Sequence, residues 1–236
     1  MTYFSLIFEL LLTCLHYLKS TKKITTTISY SILQFGVDQT RFFLMAEVSF
    51  GNDGDFSNRK MIEKVNNNLA NELGNLCQRT LSLVFKNCGK AIPEEVGPFT
   101  PDDEALLKAA AGLHRRCAEY MSVQAIHKYV QAVVTMVRDA NKYIDEQAPW
   151  VLRKTDPARM ATVLYVILEV LRHVAILYQP VIPDSASKIL DQLQVPEDER
   201  TFAHLESGSI AKGSPISKPE GVFPRIELPE ELLVEA

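Results

Sequence analysis

ATVLYVILEVLRHVAILY, residues 161–178, is the stretch whose reading decides the fold. It is apolar on almost every side, and such a helix belongs in the middle of a bundle or across a membrane. Glu169, Arg172 and His173 fall in its second half. Three ionisable groups are costly in lipid, so the bundle is the reading taken. His173 then reads as a hydrogen-bonded core histidine rather than a metal ligand. Pro180 and Pro183 end the run, and a shorter amphipathic helix carrying Ile189, Leu190 and Leu193 follows.

Upstream, Asp156-Pro157 starts this core helix, and Pro149 closes the one before it. That earlier helix places Ile126, Val130, Val133, Val134, Val137 and Ile144 on one face, with Ser122 as its expected N-cap. Before it, Thr100-Pro101-Asp102-Asp103 combines a cap, a first-turn proline and acids facing the helix dipole, which predicts a helix reaching about Met121. Ser57 is the expected cap of a long helix running to about Asn87. Its buried stripe is Ile62, Val65, Leu69, Leu73, Leu76, Leu83 and Val84, and Gly89 lies just beyond its end. The chain is therefore expected to be all-α, an antiparallel helix bundle with short connections over residues 57–207. An irregular N-terminal segment (1–34), a connector (35–56) and an extended Gly/Ser/Pro-rich tail (208–236) flank it. Val222-Phe223-Pro224-Arg225-Ile226 is the one apolar knot in that tail and is expected to dock.

The 236 residues carry 25 Lys and Arg against 29 Asp and Glu, a formal net charge of −4. A protein that grips nucleic acid mainly by its phosphates is normally basic, so any RNA partner here must be read by local contacts. Cys14, Cys77, Cys88 and Cys117 form no C-x-x-C pair, which argues against zinc ribbons and for free thiols in a reducing compartment. A cytoplasmic home is expected, with a mitochondrial or plastid matrix as the alternative. Residues 3–18, YFSLIFELLLTCLHYL, are apolar but shorter than the roughly 20 residues a membrane span needs, and they include Glu9 and His16. A buried helix, or a start at an incorrect gene boundary, is expected over a membrane anchor. Residues 19–31, KSTKKITTTISYS, read as a strand or a linker.

No phosphate-binding glycine loop, H-E-x-x-H or G-x-S-x-G occurs, and no catalytic or metal-ligating set is expected. Two polar features stand out. Asn75 and Arg79 are four apart, so they share a helix face, where an amide and a guanidinium can grip the edges of an unpaired base. Trp150 is the only tryptophan, and Pro149 fixes the chain where its ring emerges. An aromatic ring so placed can stack a nucleobase. Taken alone, the polar pair reads as solvated surface and the tryptophan as edge-of-core packing.

Several segments together resemble the methionyl-tRNA synthetase family of class I synthetases. They are Phe35-Gly36-Val37-Asp38 with Arg41-Phe42-Phe43-Leu44, the acidic loop Val48 to Ser57, and Asn68-Leu69-Ala70-Asn71-Glu72-Leu73-Gly74-Asn75-Leu76 with Arg79. Further on come Tyr143-Ile144-Asp145-Glu146-Gln147-Ala148-Pro149-Trp150 and Gly221-Val222-Phe223-Pro224-Arg225-Ile226-Glu227. The resemblance covers residues 35–227 in order. The acidic loop and Ala-Pro-Trp are similar to the methionine branch rather than to the Val, Ile, Leu or Cys branches.

The resemblance implies an anticodon-binding bundle that recognises the CAU of tRNA-Met. Trp150, shaped by Pro149, would stack on the first anticodon base, and Asn75 and Arg79 would hydrogen-bond to splayed-out bases. Specificity would then come from base contacts more than from phosphates, in keeping with the acidic charge. The family's His-Ile-Gly-His and Lys-Met-Ser-Lys-Ser signatures have no counterpart here, and residues 1–34 show no likeness to it. This chain is thus expected to bind no cofactor itself. ATP and methionine would bind a catalytic domain missing from it, supplied in trans or lost from the gene model. The alternative expectation is a non-catalytic helical tRNA- or protein-interaction module.

Overall fold

The computed structural model describes residues 31–49, 51, 56–207 and 209–227. The apolar run 3–18, the 19–30 stretch and half of the acidic loop (residues 50 and 52–55) lie outside them. Helix α1 spans Val37–Glu47. A continuous helix then runs as α2, Asn58–Val65, a π-helical segment, Asn66–Gly74, and α3, Asn75–Asn87. It is followed by α4, Pro101–Ser122, α5, Ile126–Gln147, and the short α6, Pro149–Thr155. Last come α7, Pro157–Tyr178, and α8, Pro183–Gln192. Among the described residues no strand forms; Ala91 and Pro215 make one isolated antiparallel bridge. The all-α bundle expected from the sequence is the architecture observed.

Helix α7 is the axis. It packs against α3, α4, α5, α6 and α8, and 94% of its most apolar window is buried within the protein. Burial on all sides by protein explains its all-round apolarity without a membrane. Its three ionisable groups are answered internally. Arg172 donates to Glu169 at 2.6 Å and to the carbonyl of His204 at 2.9 Å, and Glu169 accepts the Ile210 amide at 2.8 Å. The ring nitrogens of His173 lie 3.0 Å from the Glu169 carbonyl and 3.2 Å from that of Leu205. This is the core histidine that the sequence implied, and it ties the chain after α8 to the axis. Burial pushes its pKa down.

Several helix ends follow the sequence, and others do not. Thr100 and Asp103 form a reciprocal capping box, and the Asp156 carboxylate accepts the Arg159 amide at 2.9 Å. Gly89 adopts φ 63° just past α3, as a helix-terminating glycine does. Ser57 occupies the N-cap position of α2 but makes no side-chain capping bond. Ser122 caps nothing: it is the last residue of α4, and its hydroxyl donates back to Glu119 O at 2.8 Å. The chain turns through Gln124 at φ 58°, and α5 begins only after Ala125. Helix α6 was not foreseen, because its seven residues are too few to show a period.

The expected long helix also differs internally. Asn75 N–H reaches back five residues to Ala70 O, the mark of a π turn. Residues 66–68 are three asparagines, weak helix formers whose amides compete for backbone partners. The apolar knot of the tail docks against this widened turn: Phe223 is buried, with ring carbon Cδ2 3.5 Å from where a Cβ on Gly74 would sit.

Candidate nucleic-acid interface

Three elements bring the expected site residues to one end of the bundle. Helix α5 ends at Ala148, which sits at φ 44°, ψ 59°. This left-handed residue bends the chain sharply, and Pro149, pre-set for a helical first turn, starts α6 at once. Pro149 is buried while Trp150, next along, is 38% exposed. The bend therefore lifts the indole to the rim of the core, with part of its surface left to solvent.

The bend is braced from inside. Asp103, wholly buried at the start of α4, takes two bonds from Arg159, at 2.5 and 2.8 Å, one from the Tyr143 hydroxyl at 2.5 Å and one from the Thr100 amide at 2.9 Å. Arg159 also donates to Gln147 at 2.7 Å. Burial alone would raise the Asp103 pKa. The hydrogen bonds from Arg159, Tyr143 and Thr100 outweigh it and hold the carboxyl down at about 2. Tyr143 and Gln147 are four apart on the inner face of the last turn of α5, so the cluster clamps that turn immediately before Ala148.

Asp145, on the outer face of the same turn, reaches α3 instead. It accepts Arg79 Nη2 at 2.6 Å, and the Arg79 guanidinium lies 5.1 Å from the Trp150 ring centroid. The sequence-based expectation that Arg79 and Trp150 share a site thus has a geometry. Asn75 stands one turn before Arg79, exposed, at the junction of the π segment and α3.

Asn68, Glu72, Arg138 and Asn141 at this face were not singled out as site residues from the sequence. Glu72 accepts Arg138 at 2.8 Å and Asn68 at 3.0 Å, and Asn141 donates to the Glu72 carbonyl at 3.2 Å. Glu72, Asn75 and Arg79 on one helix and Arg138, Asn141 and Asp145 on the other follow the same i, i+3, i+7 spacing. The two ladders advance in the same direction, so α3 and α5 run parallel and two ion pairs bracket Asn75. That matched spacing was visible in the sequence. Nothing there said which two helices would face each other.

The ion pairs are weakly bound. The Arg79 and Asp145 side chains are 39% and 60% exposed. Such a pair contributes about 0–1 kcal/mol, and an exposed guanidinium over an indole adds about 0.5–1 kcal/mol. An incoming base can take Arg79 from both partners at small cost. Among the described residues, no group of three or more His, Cys, Asp or Glu could hold a metal ion.

A helical bundle with an exposed aromatic ring beside an amide and a guanidinium has the form of a class I synthetase anticodon-binding domain, and comparison with known proteins agrees. Residues 92–232 match the family described as the anticodon binding domain of methionyl tRNA ligase, and residues 16–81 match the class I tRNA synthetases (M). The second match starts upstream of Phe35, where the motif resemblance began, and spans α1, α2, the π-helical segment and about half of α3 as well. The chain belongs to the methionyl-tRNA ligase anticodon-binding family.

It is 48% identical over 197 residues to the methionine–tRNA ligase of Rhizobium meliloti (strain 1021), covering 83% of this chain and 38% of that protein. It is 46% identical over 199 residues to that of Mycobacterium tuberculosis (strain ATCC 25618 / H37Rv). The crystal structure of the free Mycobacterium tuberculosis methionyl-tRNA synthetase is similar at a TM-score of 0.82 and 45% identity, covering 86% of this chain and 41% of that one. The chain thus spans about two fifths of the length of these relatives.

Proposed function

We propose that this chain reads the anticodon loop of tRNA-Met, as the anticodon-binding part of a methionine–tRNA ligase. The observation that carries the reading is the half-exposed indole of Trp150 with Arg79 5.1 Å away and Asn75 one turn further along the same helix. A base leaving the loop stacks on the indole, and Arg79 and Asn75 take the edges of its neighbours. Pro149 and the Asp103 cluster supply rigidity, so little freedom is lost on binding. Aminoacylation itself is assigned to a catalytic domain that binds ATP and methionine. Neither His-Ile-Gly-His nor Lys-Met-Ser-Lys-Ser occurs among these 236 residues. A reducing compartment, cytosol first, is part of the same proposal, supported by the free cysteines Cys77, Cys88 and Cys117.

The test is titration of labelled tRNA-Met against the chain, with a transcript whose CAU is altered as the control. Trp150→Ala is expected to weaken cognate binding by about 1–3 kcal/mol, the range for one stacked base. Equal affinity for the altered transcript would defeat anticodon reading. A folded Trp150→Ala protein that binds like the parent would defeat the stacking role.

A further inference from the structure

The π-helical turn that precedes Asn75 is held from outside its own helix. Asn66 opens it, and its amide grips the tail in both directions: Nδ2 donates to Ile226 O at 2.8 Å, and Oδ1 accepts Ile226 N–H at 2.9 Å. Gly74 closes it. A Cβ there would come 3.1 Å from Leu69 O, five residues back, and 3.5 Å from the Phe223 ring. Phe223 is buried against that glycine. The tail is pinned a second time where Gln192 and Glu220 exchange two bonds, at 3.1 and 2.9 Å. On its other side the turn is held by Asn141 at Glu72 O.

A π turn is not self-sustaining. Its i+5 bonds need a wider ring than the α-helix, and such segments persist where surroundings impose them, often at functional sites. The phase of everything downstream depends on it, because each α-helical residue advances about 100° around the axis and a π residue advances less. If residues 66–74 relaxed to α, Asn75 and Arg79 would rotate away from α5 and Trp150, or slip by one residue.

We propose that residues 222–226 of the tail, seated on Asn66 and Gly74, are the positioning element that keeps Asn75 and Arg79 in phase with Trp150. Phe223 and Asn66 touch no base; they act through the helix. This rests on the reading of Trp150, Arg79 and Asn75 as the RNA-contacting set.

The only tryptophan in the chain is Trp150, so its fluorescence reports the geometry without RNA. In the full chain, Phe223→Ala is expected to keep its helical circular dichroism and to red-shift Trp150 emission, as Arg79 leaves the indole. Cognate tRNA affinity falls about tenfold, the worth of one charge-assisted hydrogen bond, while affinity for the altered anticodon is unchanged. Phe223→Leu restores both, and in an Arg79→Gln background Phe223→Ala shifts the emission no further. Should Phe223→Ala melt the bundle, Asn66→Asp carries the same test, since it keeps the acceptor and removes the donor. Folded variants with parental emission and parental discrimination would overturn the positioning role. If the parent chain binds no tRNA while the emission shifts as expected, the RNA reading falls and the tail–helix coupling stands.

Discussion

Ala148 shows how much one backbone angle governs at the residue scale. A non-glycine residue at φ 44° costs about 1–2 kcal/mol relative to right-handed backbone, yet it sets the bend that exposes Trp150. A β-branched side chain fits that region worse, whereas glycine enters it freely. Ala148→Val is accordingly expected to lower stability by about 1 kcal/mol or more, and Ala148→Gly to leave it level or slightly raised. Paired thermal melts would check this, and equal melting of the valine and alanine proteins would show the bend to be unstrained. The motif around Ala148-Pro149-Trp150 was legible from the sequence by its resemblance. The left-handed angle was not: Pro149 disfavours right-handed helix at the residue before it, but alanine itself does not signal which other region the backbone takes.

At the scale of elements, the ends of α4, α5 and α7 meet at Asp103. The Asp103 pKa falls from 3.8 to about 2 on folding. A depressed carboxylate contributes stability that is complete above its unfolded pKa and is lost as pH falls through its folded one. The contribution is about 2 kcal/mol. It should therefore be full near pH 5 and fade between about pH 4 and pH 2. Asp103→Asn, which leaves the largely buried Arg159 without its anion, is expected to cost about 3–5 kcal/mol at neutral pH. Denaturant melts of parent and variant across that pH range should draw about 2 kcal/mol closer at the acid end. Curves that stayed parallel would mean the cluster is not what titrates. The capping box half of this cluster was readable in Thr100-Pro101-Asp102-Asp103. Its partners Tyr143, Gln147 and Arg159 come from two other helices, and helical periodicity does not say which polar residues meet across a bundle.

For the whole molecule, the balance of 25 cationic against 29 anionic side chains sets how it meets a polyanion. With an acidic chain, and with Arg79 and Arg138 already paired to Asp145 and Glu72, tRNA binding should depend weakly on salt. The expected slope corresponds to neutralising fewer than about four phosphates, against the steep slopes of basic RNA-binding proteins. Affinities measured from low to moderate salt would settle it, and a slope worth eight or more phosphates would mean that electrostatics, not base reading, dominates. On the proposed reading, exposed Arg153 and Lys154, in the last turn of α6 after Trp150, are placed to meet phosphates. Arg153→Gln should weaken cognate and altered transcripts alike.

The bundle itself was determined locally. Apolar stripes at helical spacing, prolines at first turns and a glycine past a helix end are short-range instructions, and the long helices carry them; α1, inside what reads as a connector, and the short α6 show no clear stripe. The all-round apolarity of α7, together with Glu169, Arg172 and His173 in its second half, put it at the centre, because such a surface needs burial on every side and those groups are costly in lipid. What only the tertiary structure decided is where the hydrogen-bond pattern leaves the ordinary helix: the π turn at residues 66–74, the left-handed Ala148, and the facing ladders of α3 and α5. Each is disfavoured or undetermined within its own segment and is stabilised by groups far away in the chain: Ile226 on Asn66, Asp103 and Arg159 beneath Ala148, and Arg138 and Asp145 opposite Glu72 and Arg79. Those long-range contacts bring Arg79 to Trp150.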